Sequence, residues 1–255
     1  EGMKDASAAP IFNECRQWLL DNLDRFDNLT KEDVESISPE ICNCATLSTL
    51  HGCPPQEIER IASYLLTEKK VHTFIKCNPT LLGYEYARKL MDDMGYDYVA
   101  FGDFHFRDDL QYTDAVPMLQ RLQKLADEKG LEFGVKITNT FPVDVKQNEL
   151  PSEEMYMSGK SLYALSMSVA QKLAKDFDGK LRISYSGGAD YFNITKIVDA
   201  GIWPVTMATT MLKPGGYERL EQIGQLFKAK EAAAFAGVSA EKVEAMVEAA
   251  KSDKH

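Results

Sequence analysis

Apolar residues recur at two spacings along this chain, and the alternation between the two spacings predicts its fold. Segments such as QEIERIASYLL and DAVPMLQRLQKLADEKG repeat apolar residues every three to four positions, which predicts amphipathic helices. Short apolar runs lie between such segments: CATLST, HTFIKCNPT, YDYVAFGD, EFGVKITNT, LRISYS and WPVTMATT. We predict buried strands at these runs.

Several predicted helices also carry start or stop signals. Thr30 and Asp33 have the spacing of a capping box, and Gly95 and Gly130 stand where two helices should end. Further helices are predicted at PIFNECRQWLLDNLDRF, YEYARKLMDDM, SLYALSMSVAQKLAKDF, NITKIVDAG, YERLEQIGQLFKAKEAAAF and SAEKVEAMVEAAKS. Residues 141–158 are predicted to form a long polar loop, of the kind that covers a binding site.

The alternation of strands and helices with short connections predicts an α/β fold with parallel strands. Both an open doubly wound sheet and a (β/α)8 TIM-type barrel fit this order. Two features favour the barrel: no Gly-x-Gly-x-x-Gly follows the first strand, and a glycine pair follows the next-to-last strand. We divide the chain into an N-terminal helical segment (1–40), a barrel portion (41–220) and a C-terminal helical extension (221–255).

Composition narrows the class of protein. The net charge of -10 would repel nucleic acid and anionic membranes, so neither is an expected partner. No long apolar run, signal peptide or lipidation motif is present, and the five cysteines are scattered, which is typical of a reduced, cytoplasmic protein. The cysteine spacings match no zinc or ferredoxin pattern, so no metal site is predicted.

Two turns rich in small residues follow the last two predicted strands. Ser186, Gly187 and Gly188 follow one strand, and Ala208 and Thr209 follow the other. Loops at these positions of a barrel often bind phosphate through main-chain N–H groups. The pattern therefore favours a phosphate site to which the Ser186 and Thr209 hydroxyl groups contribute, although a tight turn would also require glycine.

Polar side chains also follow two earlier strands. Lys76 stands near the end of one predicted strand, and Lys136 near the end of another, followed by Thr138 and Asn139. A lysine in a barrel interior is costly unless it is paired or functional, so either lysine could hold an anionic cofactor ring or form a Schiff base. The alternative is a lysine that extends to the rim. Asn139 offers a donor and an acceptor to a heterocycle, or simply begins a loop.

Cys53 lies in a loop after the first strand, beside His51 and at the start of a helix. Both neighbours are expected to lower the pKa of its thiol, which would make it a proton donor or a nucleophile. The alternative is an inert, half-buried thiol. The sequence favours structural roles for His72 and His105, and a solvated loop position for Asp103.

Six strings occurring in order carry a resemblance to a known family. They are STLHGCPP, KCNPTLLGY, GVKITNTFPV, LPSEEMYMSGKSL, KLRISYSGGAD and WPVTMATTMLKPGGY. Together they resemble the FMN barrel of the selenate reductase iron–sulfur subunit family, a branch of the dihydroorotate and dihydropyrimidine dehydrogenase superfamily. The likeness covers residues 39–220. It implies a flavin-binding (β/α)8 domain of which this chain holds the later strands, as an internal fragment of a longer protein.

The resemblance also implies roles for individual residues. Lys76 matches a lysine at the edge of the flavin ring, and Thr138 and Asn139 match residues near flavin and substrate. Cys53 matches the cysteine of the active-site loop, which protonates the pyrimidine in dihydropyrimidine dehydrogenase. The flavin phosphate site is matched by Ser186, Gly187, Gly188, Ala208 and Thr209. One departure is Leu50, which stands where the relatives carry asparagine.

The leading hypothesis is an FMN-dependent oxidoreductase module that acts on a small substrate, such as a heterocycle. The resemblance further implies FAD, iron–sulfur and NAD(P)H-binding regions elsewhere in the parent protein, and hence other domains or subunits as partners. One alternative is a lyase or aldolase that binds a phosphorylated substrate and uses Lys76 or Lys136 as a Schiff base. Another is a non-catalytic scaffold segment of a redox complex.

Overall fold

The structure is a computed structural model that describes residues 4–48, 51–230 and 234–252. It comprises two compact units, Glu1–Ala45 and Thr46–His255. The larger unit contains both the predicted barrel portion from residue 46 and the C-terminal helices. No helix among the described residues is long and apolar enough to cross a membrane.

The smaller unit is helical, as predicted. It contains α1 (Pro10–Asp21), a short 3-10 turn and α2 (Lys31–Ser36). The predicted capping box is confirmed: the Thr30 hydroxyl accepts from the Asp33 N–H at 3.1 Å, and the Asp33 carboxylate accepts from the Thr30 N–H at 2.8 Å. Helix α1 stops at Asp21, before the end predicted for it.

A parallel sheet forms the centre of the larger unit. The strands in chain order are β1 (Cys44–Leu47), β2 (His72–Cys77), β3 (Phe133–Ile137), β4 (Phe141–Asp144), β5 (Glu154–Met157) and β6 (Arg182–Tyr185). Four of them lie in the order β1-β2-β3-β6, and β3 pairs in parallel with both β2 and β6. The predicted α/β fold with parallel strands is confirmed. The side chains of β1 are exposed or half-buried rather than buried as predicted.

Helices connect and cover these strands. They are α3 (Pro55–Thr67), α4 (Tyr84–Asp93), α5 (Phe104–Asp108), α6 (Tyr112–Lys129), α7 (Tyr163–Asp176), α8 (Ile194–Asp199), α9 (Thr209–Leu212), α10 (Glu218–Gln225) and α11 (Ala240–Ser252). Gly130 ends α6 in the left-handed conformation, as the sequence predicts. Helix α10 stops at Gln225, short of its predicted length, and residues 231–233 of that prediction lie outside the described residues.

The predicted strand at residues 96–103 is wrong. The main chain of this segment makes its hydrogen bonds outside the strand pairs of either sheet. The Val99 carbonyl accepts from the Arg88 side chain at 2.7 Å, and the Ala100 carbonyl accepts from the Asp144 N–H at 2.7 Å. Phe101 packs against Phe141 with ring centroids 4.9 Å apart. The apolar residues of this segment are therefore buried in an aromatic cluster rather than on a strand.

The predicted strand at residues 203–210 is also wrong, although part of the segment follows β6. It forms only an isolated parallel bridge between Tyr185 and Val205. The Pro204 carbonyl accepts from the Tyr185 N–H at 2.9 Å, and the Thr206 N–H donates back to Tyr185 at 2.8 Å. Proline has no N–H to donate, which limits a regular ladder here.

The polar loop predicted at residues 141–158 contains secondary structure, so this prediction is wrong. Strands β4 and β5 pair in antiparallel register, with Phe141 opposite Met157 and Asp144 opposite Glu154. Phe141 and Val143 are buried, whereas Tyr156 is exposed. The alternating pattern of a short hairpin was hidden by the polar residues between its strands.

One face of the parallel sheet packs against the main hydrophobic core. Because successive side chains on a strand point to opposite faces, Ile75 and Val135 face the main core, where α3, α6 and α7 pack. Helix α11 completes this core with Val243, Met246 and Val247 and packs on α7. The predicted boundaries at residues 40 and 220 stay predictions.

Candidate functional site

The residues singled out in the sequence gather at one edge of the parallel sheet. Cys53 follows β1, Asn78 follows β2, Asn139 follows β3, Gly187 follows β6, and Thr209 follows the segment beside β6. Parallel strands end at the same edge, and four gaps of about 4.8 Å span roughly 19 Å. Ligands of α/β proteins bind outside the carboxyl ends of the strands, so this edge is the candidate site.

Two lysines lie side by side near the middle of this edge. Lys76 and Lys136 are register partners in the β2–β3 ladder, and Ser184 of β6 is the next partner along. Burial, together with the positive charge of Lys76, lowers the pKa of the Lys136 ammonium group. Neither lysine forms an ion pair with a carboxylate among the described residues. A pair of adjacent cations of this kind favours an anionic ligand.

Cys53 and Lys76 line the same small cavity, together with Asp109. Burial and the negative charge of Glu57 raise the pKa of the Cys53 thiol, so the expected lowering is wrong. His51 does not activate the thiol, because its ring nitrogen pairs with Asp109 instead. At neutral pH Cys53 is therefore a protonated thiol, which is a proton donor rather than a ready nucleophile.

Asp109 organises this part of the site, and the sequence analysis missed it. Its side chain is 1% exposed and accepts hydrogen bonds from four groups. The donors are His51 Nδ1 at 2.9 Å, the Gly52 N–H at 3.0 Å, Asn78 Nδ2 at 3.0 Å and Thr80 Oγ1 at 2.7 Å. Three loops of the candidate edge are thereby tied to one buried carboxylate. A local signal was lacking, because aspartate in DDL resembles any solvated loop residue.

The carboxylate also sets the orientation of two amides. Since a carboxylate only accepts, Asn78 presents its NH2 to Asp109 and its carbonyl oxygen away from it. That oxygen accepts from Asn139 Nδ2 at 2.6 Å. Asn139 is thus left with its own carbonyl oxygen as an acceptor for a ligand N–H. The sequence predicted a polar role for Asn139 without this orientation.

The loop that carries His51 is held by a second set of contacts. The ring of His105 lies 5.1 Å from the His51 ring, and its Nε2 pairs with Glu154 of β5 at 2.7 Å. Gly52 adopts φ +75°, and a Cβ there would lie 2.5 Å from a carboxylate oxygen of Asp108. Only glycine fits this position without displacing a neighbour. His72 is structural, as predicted: it accepts from a main-chain N–H at 2.9 Å.

At the other end of the edge, the glycine pair is required by the packing of the chain itself. Gly188 adopts φ +82°, and a Cβ there would collide with the carbonyl oxygen of Gly159. A Cβ at Gly187 would collide with the hydroxyl group of Ser166. The turn is further tied down by the Tyr185 hydroxyl, which donates to the Gly187 carbonyl at 2.6 Å. Substituting either glycine would therefore disturb folding as well as any ligand.

The two predicted phosphate-binding turns are neighbours in the structure. Thr210 Oγ1 donates to the Ala189 carbonyl at 2.9 Å, which joins one turn to the other. The N–H groups of Gly187, Gly188 and Ala189 donate to no acceptor within residues 4–48, 51–230 and 234–252. Main-chain amides left in this way are available to an anion.

A cavity of about 200 Å³ opens beside these turns. Gly188 and Thr209 line it, and so do the cationic side chains of Lys213 and Arg219. It also contains the carboxylate of Asp190, which pairs with Lys160 at 3.5 Å. The cations therefore outnumber the carboxylate in the lining, which suits an anionic group.

Four residues that were predicted to contact the cofactor do not line this cavity: Thr138, Ser186, Gly187 and Ala208. Thr138 is buried, and its hydroxyl group pairs with Ser166 at 2.8 Å. Its N–H donates to the Ser186 carbonyl at 2.7 Å, so the two strand ends are held together. Ala208 precedes α9. Cofactor contacts by these residues stay predictions, as do the roles predicted for Cys53, Lys76, Asn139, Gly188 and Thr209.

A helix-covered parallel sheet with cationic and polar groups at the carboxyl ends of its strands defines an α/β domain. The chain belongs to the family described as "Oxidoreductase YgfK, N-terminal TIM-barrel domain", which matches residues 1–255. The TIM-barrel fold predicted from the sequence is confirmed by this match. Membership of the selenate reductase iron–sulfur subunit family stays a prediction.

Two curated proteins, from Escherichia coli K12 and O157:H7, are similar to this chain. Both are named "Putative oxidoreductase YgfK" and are 47% identical over 231 residues, which is 86% of this chain and 22% of each relative. The chain thus spans less than a quarter of the length of these relatives.

Two solved structures of dihydroorotate dehydrogenase from Eimeria tenella are distantly similar to the chain. The complex with ferulenol gives a TM-score of 0.45 at 17% identity, covering 85% of this chain and 61% of that one. The ligand-free form gives 0.34 at 16% identity, covering 69% and 55%. Likenesses this distant carry no argument about the site.

Proposed function

We propose that this chain is the FMN-binding barrel of a flavin-dependent oxidoreductase that acts on a small heterocyclic substrate. Within the parent protein it would work with iron–sulfur, FAD and NAD(P)H-binding regions. One observation carries the proposal: a proton-donating thiol, a pair of lysines and unsatisfied main-chain amides follow one another along a single edge of roughly 19 Å. This order suits a long ligand with a reactive ring at one end and a phosphate at the other.

The residues present fit a flavin on chemical grounds. Lys136 carries a partly buried charge without a carboxylate partner among the described residues, and Lys76 adds a second charge beside it. A flavin supplies hydride chemistry when bound, whereas the protein supplies orientation and electrostatics. The lysines would stabilise negative charge on the ring, and Cys53 would donate a proton to the substrate.

The phosphate would be held by groups at the far end of the edge. The amides of Gly187 and Gly188 donate to no acceptor in the described chain, and Gly188 and Thr209 line the same cavity. Lys213 and Arg219 line the same cavity. Charge-assisted hydrogen bonds of this kind each contribute about 1.5–3 kcal/mol.

A titration of the chain with FMN and with riboflavin, followed by flavin fluorescence, tests the proposal. The two ligands differ only in the phosphate, so we expect FMN to bind at least about tenfold more tightly. Thr209→Val should reduce this preference. Thr67→Val makes the same chemical change at the end of α3, shortly before β2 begins, and should not. Equal affinity for the two flavins, or no binding of either, would contradict the proposal.

The lowered pKa of Lys136 favours one second candidate, a Schiff-base enzyme. A lysine that is desolvated beside another cation is a better nucleophile toward carbonyl groups. Incubation with glyceraldehyde 3-phosphate and borohydride, followed by mass spectrometry, would locate an adduct. An adduct on Lys136 that is absent in Lys136→Arg, in a chain that binds no flavin, would replace the first function by the second.

A further inference from the structure

We propose that His51 is a proton-transfer residue of this site and that Asp109 is the positioning residue that fixes its tautomer. The proposal rests on the proposed flavin-dependent reaction for the identity of the proton. The tautomer can be measured without it. The sequence analysis considered His51 only as a neighbour of Cys53.

The geometry around Asp109 determines which ring nitrogen of His51 carries the proton. Both carboxylate oxygens lie within hydrogen-bond distance of Nδ1, at 2.9 and 3.0 Å. Amide donors from Gly52 and Asn78 occupy the same two oxygens, so the carboxylate acts as an acceptor. Nδ1 must then be the donor, and the neutral ring leaves a lone pair on Nε2.

The second ring nitrogen of His51 is uncommitted. Within the described part of the chain, His51 Nε2 makes no hydrogen bond, and the side chain is 26% exposed. His51 lies two positions before Cys53, in the loop that follows β1. Its partner Asp109 lines a cavity together with Cys53 and Lys76, and the proposal places the His51 ring beside a substrate bound there.

Cys53 cannot fill this role alone. Because burial raises the pKa of its thiol, Cys53 can give a proton at neutral pH but is a poor acceptor. Oxidation of a substrate requires an acceptor, and an imidazole with a free lone pair provides one. Cys53 would thus donate a proton when the substrate is reduced, and His51 would accept a proton when the substrate is oxidised.

The substrate loses a hydride, with its electron pair, from one carbon to oxidised flavin, and loses a proton from the adjacent carbon to His51 Nε2. The electrons of the second C–H bond form the new carbon–carbon double bond. The resulting imidazolium is stabilised by Asp109 at Nδ1, and the reverse reaction returns both hydrogens.

Several titratable side chains face the His51 loop from the elements packed against it. Asp108 ends α5, and Asp109 follows it. The others are His105 with its partner Glu154 on β5, and Cys53 before α3. His105 is itself committed to Glu154 at 2.7 Å, so it does not compete for Asp109. The carboxylate that contacts the imidazole of His51 is that of Asp109.

The tautomer can be tested by NMR of the chain labelled with ¹⁵N at histidine. His51 should have a protonated Nδ1 and a bare Nε2. His72 accepts a main-chain N–H at Nδ1 and should show the opposite pattern, so it is an internal reference. His51→Gln assigns the signal. Asp109→Asn should shift His51 away from this tautomer, whereas Asp103→Asn, a half-exposed carboxylate in the same region, should not.

Diethyl pyrocarbonate, which acylates unprotonated imidazole nitrogens, measures the reactivity of Nε2. We expect His51 to be modified at Nε2, with a rate at least about tenfold lower in Asp109→Asn than in the wild type. A bare Nδ1 on His51, or an unreactive Nε2 in the wild-type chain, would overturn the proposal even if no variant folds.

The flavin titration of the same sample separates the two proposals. A chain that binds FMN but has the reversed His51 tautomer retains its proposed function and loses the role of His51. A chain that binds no flavin removes the redox step, and with it the proton that His51 would accept.

Discussion

The buried carboxylate of Asp109 offers the sharpest test of how the site is held together. Asp109→Asn preserves shape but replaces one acceptor oxygen by an NH2 donor. Oδ2 accepts from His51, Asn78 and Thr80, and Oδ1 accepts from His51 and Gly52. Whichever way the new amide turns, at least one buried donor meets another donor.

The loss of stability in Asp109→Asn depends on how many buried donors lose their acceptor. A buried polar group that loses its partner costs about 1–3 kcal/mol, and the Thr80 hydroxyl can rotate to relieve one conflict. We therefore expect the free energy of unfolding to fall by about 2 kcal/mol. In a chain of this length that corresponds to roughly 4–8 °C in the midpoint of thermal unfolding.

Urea unfolding of the wild type and two variants measures this difference. Asp109→Asn should lower the midpoint without changing the slope, since the surface exposed on unfolding is unaltered. The control is Asp103→Asn, whose partner Arg107 is 3.0 Å away on the surface, and it should cost less than about 0.5 kcal/mol. Equal midpoints for the two variants would refute the view that Asp109 is the hub of the network.

Three further predictions follow from other parts of the site. Because the native pKa of Lys136 is lowered, the unfolded chain binds more protons between that pKa and the ordinary value of about 10.4. The free energy of unfolding should therefore rise with pH in this window in the wild type but not in Lys136→Met. Urea midpoints measured across this pH range test the difference, and the same pH dependence in both proteins would contradict the prediction. Gly52→Ala should destabilise the chain more than Gly130→Ala. Both glycines have positive φ, and an alanine in the left-handed conformation costs about 1–2 kcal/mol, but only Gly52 also faces a carboxylate at 2.5 Å. Equal unfolding midpoints would show that the close contact is relieved. Burial and the negative charge of Glu57 raise the pKa of the Cys53 thiol, so iodoacetamide should alkylate Cys53 more slowly than free cysteine at neutral pH. The rate should increase in Glu57→Gln. An unchanged rate in this variant would show that the charge of Glu57 has no effect on the thiol.

Much of the fold can be read from local patterns. The helices α3, α4, α6, α7 and α11 follow the spacing of their apolar residues, and the capping box at Thr30 was predicted from two residues alone. The parallel order also follows, because short crossovers leave little alternative. The strand ends then place Lys76 and Lys136 at one edge of the sheet, so the sequence alone is enough to locate a candidate site.

The failures in predicting strands share one physical cause: a strand exists only where a partner supplies its ladder. Residues 96–103 have the composition of a strand, yet Phe101 packs among aromatic rings and the main chain bonds elsewhere. Residues 203–210 reach only a single bridge beside β6. In contrast, the β4–β5 hairpin forms in a polar stretch because each strand pairs with the other.

The chemistry of the site depends on contacts between residues far apart in the chain. Asp109 pairs with His51 across 58 positions, which neither spacing nor composition indicates. Gly188 is glycine because the Gly159 carbonyl approaches it, and no pattern around SGGAD reveals that neighbour. Periodicity is a property of consecutive residues, whereas a hydrogen-bond network or a close contact exists only once packing has brought distant segments together.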